Sequence, residues 1–195
     1  MRTLLIGGAR SGKSALALRW SNERSTDVCT LVTGSESDPE MAARIAAHRR
    51  ERPAHWRVRE EPVRLGRALR EEANSLAHGV PHGVAHGLVL VDCLTLWISN
   101  CLWPQGSEAP DQAAWHRERD DFLDALSASA ADVIIVTNEV GTGIVPNNAA
   151  ARIFRDEQGW LNQAVAAVCD EVFFVTAGLP LCLKPGPART TTPLP

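Results

Sequence analysis

Eight residues near the N-terminus have the types and spacing of a phosphate-binding loop. They fit G-x-x-x-x-G-K-[ST] without a gap and are Gly7, Gly8, Ala9, Arg10, Ser11, Gly12, Lys13 and Ser14. Glycines let the backbone curl so that successive N–H groups face anionic oxygens. Lys13 would add a positive charge for the β- and γ-phosphates, and Ser14 would offer its hydroxyl to Mg²⁺. The loop predicts that a nucleoside triphosphate is bound, with Lys13 as a catalytic residue.

A second Mg²⁺ ligand is predicted where an apolar run ends in an acid. Residues 87–92 read GLVLVD, and in P-loop enzymes an acid at the end of a strand also holds the metal. Asp92 is therefore the candidate partner of Ser14. Its alternative role is to cap a helix that runs from Thr95.

A histidine lies among arginines in the segment DPEMAARIAAHRRERP. Asp38 is a good N-cap for a helix here, and Pro53 would end it. His48 falls on one stripe with Met41 and Ile45. A neutral imidazole can attack a phosphoryl centre, and the neighbouring guanidinium groups would neutralise the phosphates. The alternative is a partly buried histidine at the basic, solvated end of a helix.

A loop rich in glycine is predicted after the apolar strand that ends at Thr137. Asn138 and Glu139 open this loop and could contact substrate or a Mg²⁺-bound water, while Gly141 and Gly143 permit positive φ angles. Ligands of open α/β sheets bind at such strand ends. A purely structural loop is the alternative.

Alternating apolar runs and helical patterns predict an α/β fold, a mainly parallel sheet flanked by helices. The predicted strands are Thr3–Ile6, Val28–Thr33, Leu88–Asp92, Val133–Thr137 and Glu171–Thr176. The predicted helices are Lys13–Glu23, Pro39–Arg52, Val63–Leu76, Thr95–Leu102, Gln112–Ala128 and Ala149–Cys169. We expect one catalytic domain over residues 1–184 and a disordered Pro/Thr tail over residues 185–195.

Composition argues against several classes of protein. The net charge of −3 gives no overall attraction to nucleic acid or to anionic membranes. No apolar run approaches the roughly 20 residues that span a bilayer, and the N-terminus predicts a strand where a signal peptide would lie. The five cysteines are odd in number and contain no C-x-x-C pair, which is typical of reduced thiols. We expect a cytoplasmic protein that neither binds nucleic acid nor inserts stably into membranes.

Four segments together resemble one enzyme family. They are GGARSGKS, DPEMAARIAAHRRERPAHW, VDCLTLWISN and TNEVGTGIVPNNAAARIFRDEQGWLNQ. Over residues 1 to about 184 the chain is similar to the bifunctional adenosylcobinamide kinase/adenosylcobinamide-phosphate guanylyltransferases of cobalamin biosynthesis. The resemblance implies a RecA-like P-loop domain with two activities. ATP or GTP would phosphorylate adenosylcobinamide, and GTP would then transfer GMP to that phosphate and release pyrophosphate.

The resemblance also implies roles for particular residues. The family motif H-x-x-x-RP-x-x-W falls on His48 and Arg52, so His48 would carry GMP as a covalent phosphoramidate; His55, beyond the predicted helix end, is less suited. Further nucleotide contacts are implied at Thr33, Gly34, Ser35, Arg49, Arg50, Glu51, Arg52, Glu60 and Asp92. The implied cofactors are GTP, ATP and Mg²⁺. A homotrimer with the site near a subunit interface is implied as well.

Two other functions remain open from the residues. Some relatives carry adjacent histidines at the attachment site, whereas this chain has Ala47 before His48, so guanylylation would depend on His48 alone. The main alternative is a small-molecule P-loop kinase without guanylyl transfer, in which His48 is structural. A nucleotide-dependent regulatory ATPase is a more distant alternative, which the acidic net charge disfavours.

Overall fold

A mainly parallel seven-stranded sheet forms the centre of the fold. The computed structural model describes residues 1–34, 50–78, 87–104 and 107–186. The strands are β1 (Arg2–Gly7), β2 (Val28–Val32), β3 (Arg57–Glu60), β4 (Leu88–Asp92), β5 (Asp132–Asn138), β6 (Glu171–Thr176) and β7 (Leu179–Lys184). Their order in the sheet is β3-β2-β4-β5-β1-β6-β7. Of these strands β7 alone runs antiparallel, along β6.

Helices cover both faces of the sheet. They are α1 (Lys13–Arg24), α2 (Leu65–His78), α3 (Leu94–Leu102), α4 (Gln112–Ser127) and α5 (Ala149–Val168), and residues 50–51 are also helical. Successive strand residues point to opposite faces. Leu4 accordingly packs in one buried cluster with Trp97 and Trp115, whereas Leu5 packs in a second cluster with Leu16. Burial on both faces explains why the central strands are continuous apolar runs.

The predicted fold class, a RecA-like P-loop fold with a mainly parallel sheet, is confirmed. All five predicted strands are present, with bounds that differ by at most one residue. The sequence analysis missed β3 and β7. Both lie at the edges of the sheet, where one side of the strand lacks a neighbour and the apolar run is not required: β3 reads RVRE, and β7 contains Pro180.

Two predicted segments lie largely outside the described residues. The helix Pro39–Arg52 falls mostly on residues 35–49, and the tail falls mostly on residues 187–195. The predicted helix and the division into a domain and a disordered tail therefore stay predictions.

The strand order brings the predicted functional segments to one edge. Strand β5 lies between β1 and β4, with Gly7 opposite Asn138, and β4 pairs with β2 so that Asp92 is opposite Val32. Because these four strands are parallel, their carboxyl ends lie side by side. The phosphate-binding loop, Asp92, the loop after β5 and the segment from Thr33 therefore leave the sheet at the same edge, where open α/β sheets bind ligands.

The cysteines are free thiols, most of them inaccessible. Cys29, Cys101 and Cys169 are buried, and burial raises the pKa of each thiol to about 12. Burial also raises the pKa of Cys93, whereas Cys182 is exposed. No helix within the described ranges is long and apolar enough to cross a membrane.

Candidate active site

The phosphate-binding loop joins β1 to α1. Helix α1 begins at Lys13, after Gly12 with a φ of 94° and a short turn in which Ser11 N donates to Gly8 O at 3.2 Å. The Lys13 side chain is buried and bends back over the loop, where its Nζ donates to Gly8 O at 3.0 Å. Its ammonium group and the first N–H groups of α1 therefore lie at one place, as a phosphate site requires.

The turn between β6 and β7 supports the phosphate-binding loop from behind. Gly178 N donates to Ser11 O at 2.9 Å. A Cβ added to Gly12 would lie 3.0 Å from Gly178 Cα, and a Cβ added to Gly7 would lie 2.4 Å from Val175 O. These two glycines are therefore required by the close approach of β6 and its turn, in addition to any contact with phosphate.

Asp92 ends β4 and is paired with a buried arginine. Its Oδ2 lies 3.1 Å from Arg52 Nη2, and only 5% of the Arg52 side chain is exposed. Cys93, not Asp92, occupies the N-cap position of α3, so the alternative role of Asp92 as helix cap is wrong. Asp92 instead lies beside the phosphate-binding edge with its carboxylate half of an ion pair.

The Arg52 guanidinium is incompletely satisfied. Its Nε and Nη1 are buried and have no hydrogen-bond partner within the described part of the chain. A buried donor without a partner is costly, and a buried charge is more so. An anionic oxygen at this position would satisfy the free N–H groups, which fits the predicted role of Arg52 as a nucleotide contact.

Thr33 connects the ends of β2 and β4. Its hydroxyl donates to Cys93 O at 2.5 Å and accepts from Cys93 N at 3.1 Å, while Thr33 N donates to Asp92 O at 3.2 Å. Asn100 Nδ2 donates to Thr33 O at 2.8 Å. The side chain of Thr33, predicted to contact nucleotide, is thus fully buried and positions the backbone next to Asp92.

We expect the Thr33→Val variant to lower the free energy of unfolding by about 1–3 kcal/mol, because two buried backbone groups of Cys93 would lose their partner. Thr30→Val is a matched control: Thr30 is equally buried, but its hydroxyl has no partner among the described residues. That control should unfold at the same urea concentration as the parent chain or higher. Equal destabilisation of the two variants in urea titrations would contradict the role given to Thr33.

A buried polar network fixes the start of the loop after β5. Asn162 of α5 accepts from the Thr137 hydroxyl at 2.8 Å and donates to Asn138 O at 3.0 Å. Gln158 Nε2 donates both to Thr137 Oγ1 and to Asn162 Oδ1 at 3.0 Å. On the other side, Asn138 N donates to Thr95 Oγ1 at 2.9 Å. Sequence analysis missed this network, although polar residues on the inner face of a helix are a usable indication.

A cleft of about 460 Å³ lies at the β3 side of the sheet. Its lining combines two predicted nucleotide contacts, Arg52 and Glu60, with Pro53, Ala54, Trp56 and Val58. Trp56 is buried, and its Nε1 has no partner among the described residues. Arg50 and Glu51 precede this cleft in the chain, and both are exposed.

The structure brings most of the predicted site residues to the same edge but does not describe all of them. Ser14 lies in the first turn of α1 beside Lys13, and Gly34 follows Thr33. Ser35, His48 and Arg49 lie outside the described residues. The roles assigned to all of the site residues therefore stay predictions.

A buried lysine in a strand–loop–helix turn, on a mainly parallel sheet, defines a nucleotide-binding protein of the P-loop class. The chain matches the family described as "Cobinamide kinase / cobinamide phosphate guanyltransferase" over residues 3–183. The match covers nearly all of the sequence, and the chain belongs to this family.

Curated relatives agree with the family match. The bifunctional adenosylcobalamin biosynthesis protein CobP of Pseudomonas aeruginosa is 44% identical over 187 residues, which cover 96% of this chain and 99% of the relative. The protein named CobU of Salmonella typhimurium is 38% identical over 192 residues, covering 94% and 100%. The chain is thus a bifunctional kinase and guanylyltransferase of cobalamin biosynthesis, and the alternative of a plain P-loop kinase is not supported.

Solved structures show more distant similarity. A solved ATPase domain aligns with 89% of this chain and 68% of its own, at 17% identity and a TM-score of 0.49. The RadB recombinase aligns with 89% and 73%, at 18% identity and a TM-score of 0.42. Similarity at this level has no bearing on function.

Proposed function

We propose that one nucleotide site, built on the phosphate-binding loop, serves both reactions, and that guanylyl transfer proceeds through GMP bound to His48. The observation that carries the proposal is the buried Arg52 guanidinium, paired to Asp92 with two nitrogens unsatisfied by the described residues. His48 precedes Arg52 by four residues, so at most about 14 Å of chain separates them. A nucleotide held at this edge would therefore be close to both residues.

In the kinase step the acceptor hydroxyl of adenosylcobinamide attacks the γ-phosphorus of ATP or GTP. The O–P bond forms, the bond to the β–γ bridging oxygen breaks, the nucleoside diphosphate leaves, and the hydroxyl proton passes to water. Lys13 and the N–H groups that begin α1 hold the β- and γ-phosphates and stabilise the charge that moves to the bridging oxygen.

In the guanylyl step an imidazole nitrogen of His48 attacks the α-phosphorus of GTP. The N–P bond forms as the bond to the α–β bridging oxygen breaks, and pyrophosphate leaves. A phosphate oxygen of adenosylcobinamide phosphate then displaces the imidazole and gives adenosylcobinamide-GDP. Arg49, Arg50 and Arg52 neutralise the phosphates around the reacting centre.

Mg²⁺ fits the oxygen donors of this edge. Ser14 supplies a hydroxyl and Asp92 a carboxylate, and Mg²⁺ prefers such hard oxygen ligands together with substrate phosphates. The ion would neutralise charge on the phosphates during transfer. Because Arg52 contacts Asp92 Oδ2, Oδ1 is the atom we assign to the cation.

We assign the remaining nucleotide contacts as the sequence predicts them. Glu60 lies in the cleft that also holds Arg52, and the other contacts are Thr33, Gly34, Ser35 and Glu51.

A homotrimer with the site near an interface would cover Leu179, Leu181 and Leu183, which are 57–70% exposed on the edge strand β7. The buried, unpaired thiols suit the cytoplasm, and the net charge of −3 suits a protein that binds no nucleic acid.

Labelled GTP tests the proposal on the unmodified protein. Incubation with GTP labelled at the α-phosphate should give protein whose label is lost in acid and kept in base, whereas label at the γ-phosphate should give none. Adding adenosylcobinamide phosphate should then move the α-label into adenosylcobinamide-GDP. Absence of protein-bound α-label, or α-label that adenosylcobinamide phosphate cannot remove, would contradict the covalent route.

A further inference from the structure

The loop from Glu139 to Asn148 exposes apolar side chains at the edge where the nucleotide would bind. Ile144 is 98% exposed and Val145 is 62% exposed. We propose that this loop is the docking surface for the corrin macrocycle, with Ile144 and Val145 against its apolar rim. This inference rests on the proposed function, because it names where the second substrate of the same site is held.

The loop is fixed at both ends, so the exposure of its tip is a built feature. At its start, Glu139 N donates to Gly7 O at 3.1 Å, which ties it to the phosphate-binding loop. At its end, Arg152 Nη1 donates to the carbonyl oxygens of Pro146 and Asn147, both at 2.9 Å. Asn148 caps α5 by accepting from Ala151 N at 2.7 Å. Anchored ends hold the apolar tip at a set place relative to the phosphates.

The size of the substrate favours an open surface. Drug-sized ligands fill pockets of about 300–1,000 Å³, and a corrinoid is larger than most such ligands. The cleft lined by Arg52 and Glu60 has about 460 Å³, and a second cleft, lined in part by Glu139 and Asn162, has about 370 Å³. Neither could enclose a corrin ring, so the macrocycle must lie against an outer surface near the phosphates, and the tip of this loop is an apolar one.

The charge of the loop also suits a corrinoid. The cobalt–corrin core with its adenosyl ligand carries one formal positive charge, because the ring and the alkyl ligand cancel two of the three charges on cobalt. Glu139 is the single ionisable residue between Asn138 and Asn148. The loop thus combines an apolar tip with one negative charge at its base, which is complementary to a weakly cationic, methyl-rich ligand.

Serine variants of the tip test the inference. Ile144→Ser and Val145→Ser should each raise the KM and the dissociation constant for adenosylcobinamide by about tenfold, the loss expected for one apolar contact. The KM for GTP and the formation of α-labelled protein without corrinoid should stay unchanged. Trp160→Ser is the control, because Trp160 is 58% exposed on α5 and has no role in the proposal.

Three results would overturn the inference. The first is unchanged corrinoid binding, by equilibrium dialysis, in both tip variants. The second is an equal loss in the Trp160→Ser control. The third is a change in oligomeric mass by light scattering in the tip variants, which would assign the loop to a contact between copies of the chain. Failure of the proposed function differs from all three, because the unmodified protein would then carry no α-label.

Discussion

Replacement of His48 by alanine should abolish guanylyl transfer and spare the kinase. Without the imidazole no phosphoramidate can form, so transfer of GMP should fall by about a thousandfold or more, the scale seen when a covalent nucleophile is removed. Phosphorylation of adenosylcobinamide should stay within about threefold, because the γ-phosphate is held by the phosphate-binding loop. The two rates can be measured separately, with adenosylcobinamide as substrate for one and its phosphate for the other.

Two variants separate chemistry from structure in this experiment. His48→Asn keeps a polar side chain of similar size and should lose guanylyl transfer as fully as alanine does. His55→Ala removes an exposed histidine seven residues further on and should keep both activities. If His48→Ala retained the protein-bound α-label, or if His55→Ala lost it, the nucleophile would be assigned wrongly. An equal loss of kinase activity in His48→Ala would indicate a structural role.

Replacement of Lys13 by alanine should lower both activities together. The ammonium group lies over the phosphate-binding loop, 3.0 Å from Gly8 O, and is the charge that the β- and γ-phosphates would meet. Loss of one such preorganised group costs about a hundredfold to a thousandfold in rate. We therefore expect kcat/KM for phosphorylation and for guanylyl transfer to fall on this scale, measured by steady-state kinetics with each acceptor.

The matched control is Arg19→Ala, which removes a positive charge from the same helix. Arg19 is 62% exposed and its one described ion pair, with Glu23, is long at 3.9 Å, so both activities should be kept. Stability should change little in Lys13→Ala, because one hydrogen bond to a carbonyl is worth about 1 kcal/mol. Loss of only one of the two activities would argue against a shared nucleotide site.

Most of the sheet could be predicted because its central strands are buried on both faces. Strands such as β4 and β5 are continuous apolar runs, and burial alone requires that composition. At the edges this requirement is absent. Strand β3 is charged, and β7 exposes Leu179, Leu181 and Leu183. Edge strands are recognised by their hydrogen bonds to a neighbour, which no local pattern encodes.

The candidate site divides in the same way. Lys13 and Ser14 could be named from eight adjacent residues, because a strand, a turn and a helix start are local structures. The pairing of Arg52 with Asp92 joins residues 40 apart in sequence, and the contact of Thr33 with Cys93 spans 60. Neither pair repeats at a helical or strand period, so neither could be found by spacing.

The sequence by itself determined the phosphate-binding loop, the α/β class and, through its resemblance, the family and the choice of His48. The tertiary structure decided how these parts are held. It packed the turn at Gly178 against Gly7 and Gly12, and it buried Arg52 beside Asp92 with two nitrogens that no described residue satisfies. It also set the loop after β5 between the phosphate-binding loop and an open apolar tip. The physical reason is that local chemistry follows from neighbouring residues, whereas burial and ion pairing depend on segments that meet only when the sheet has formed.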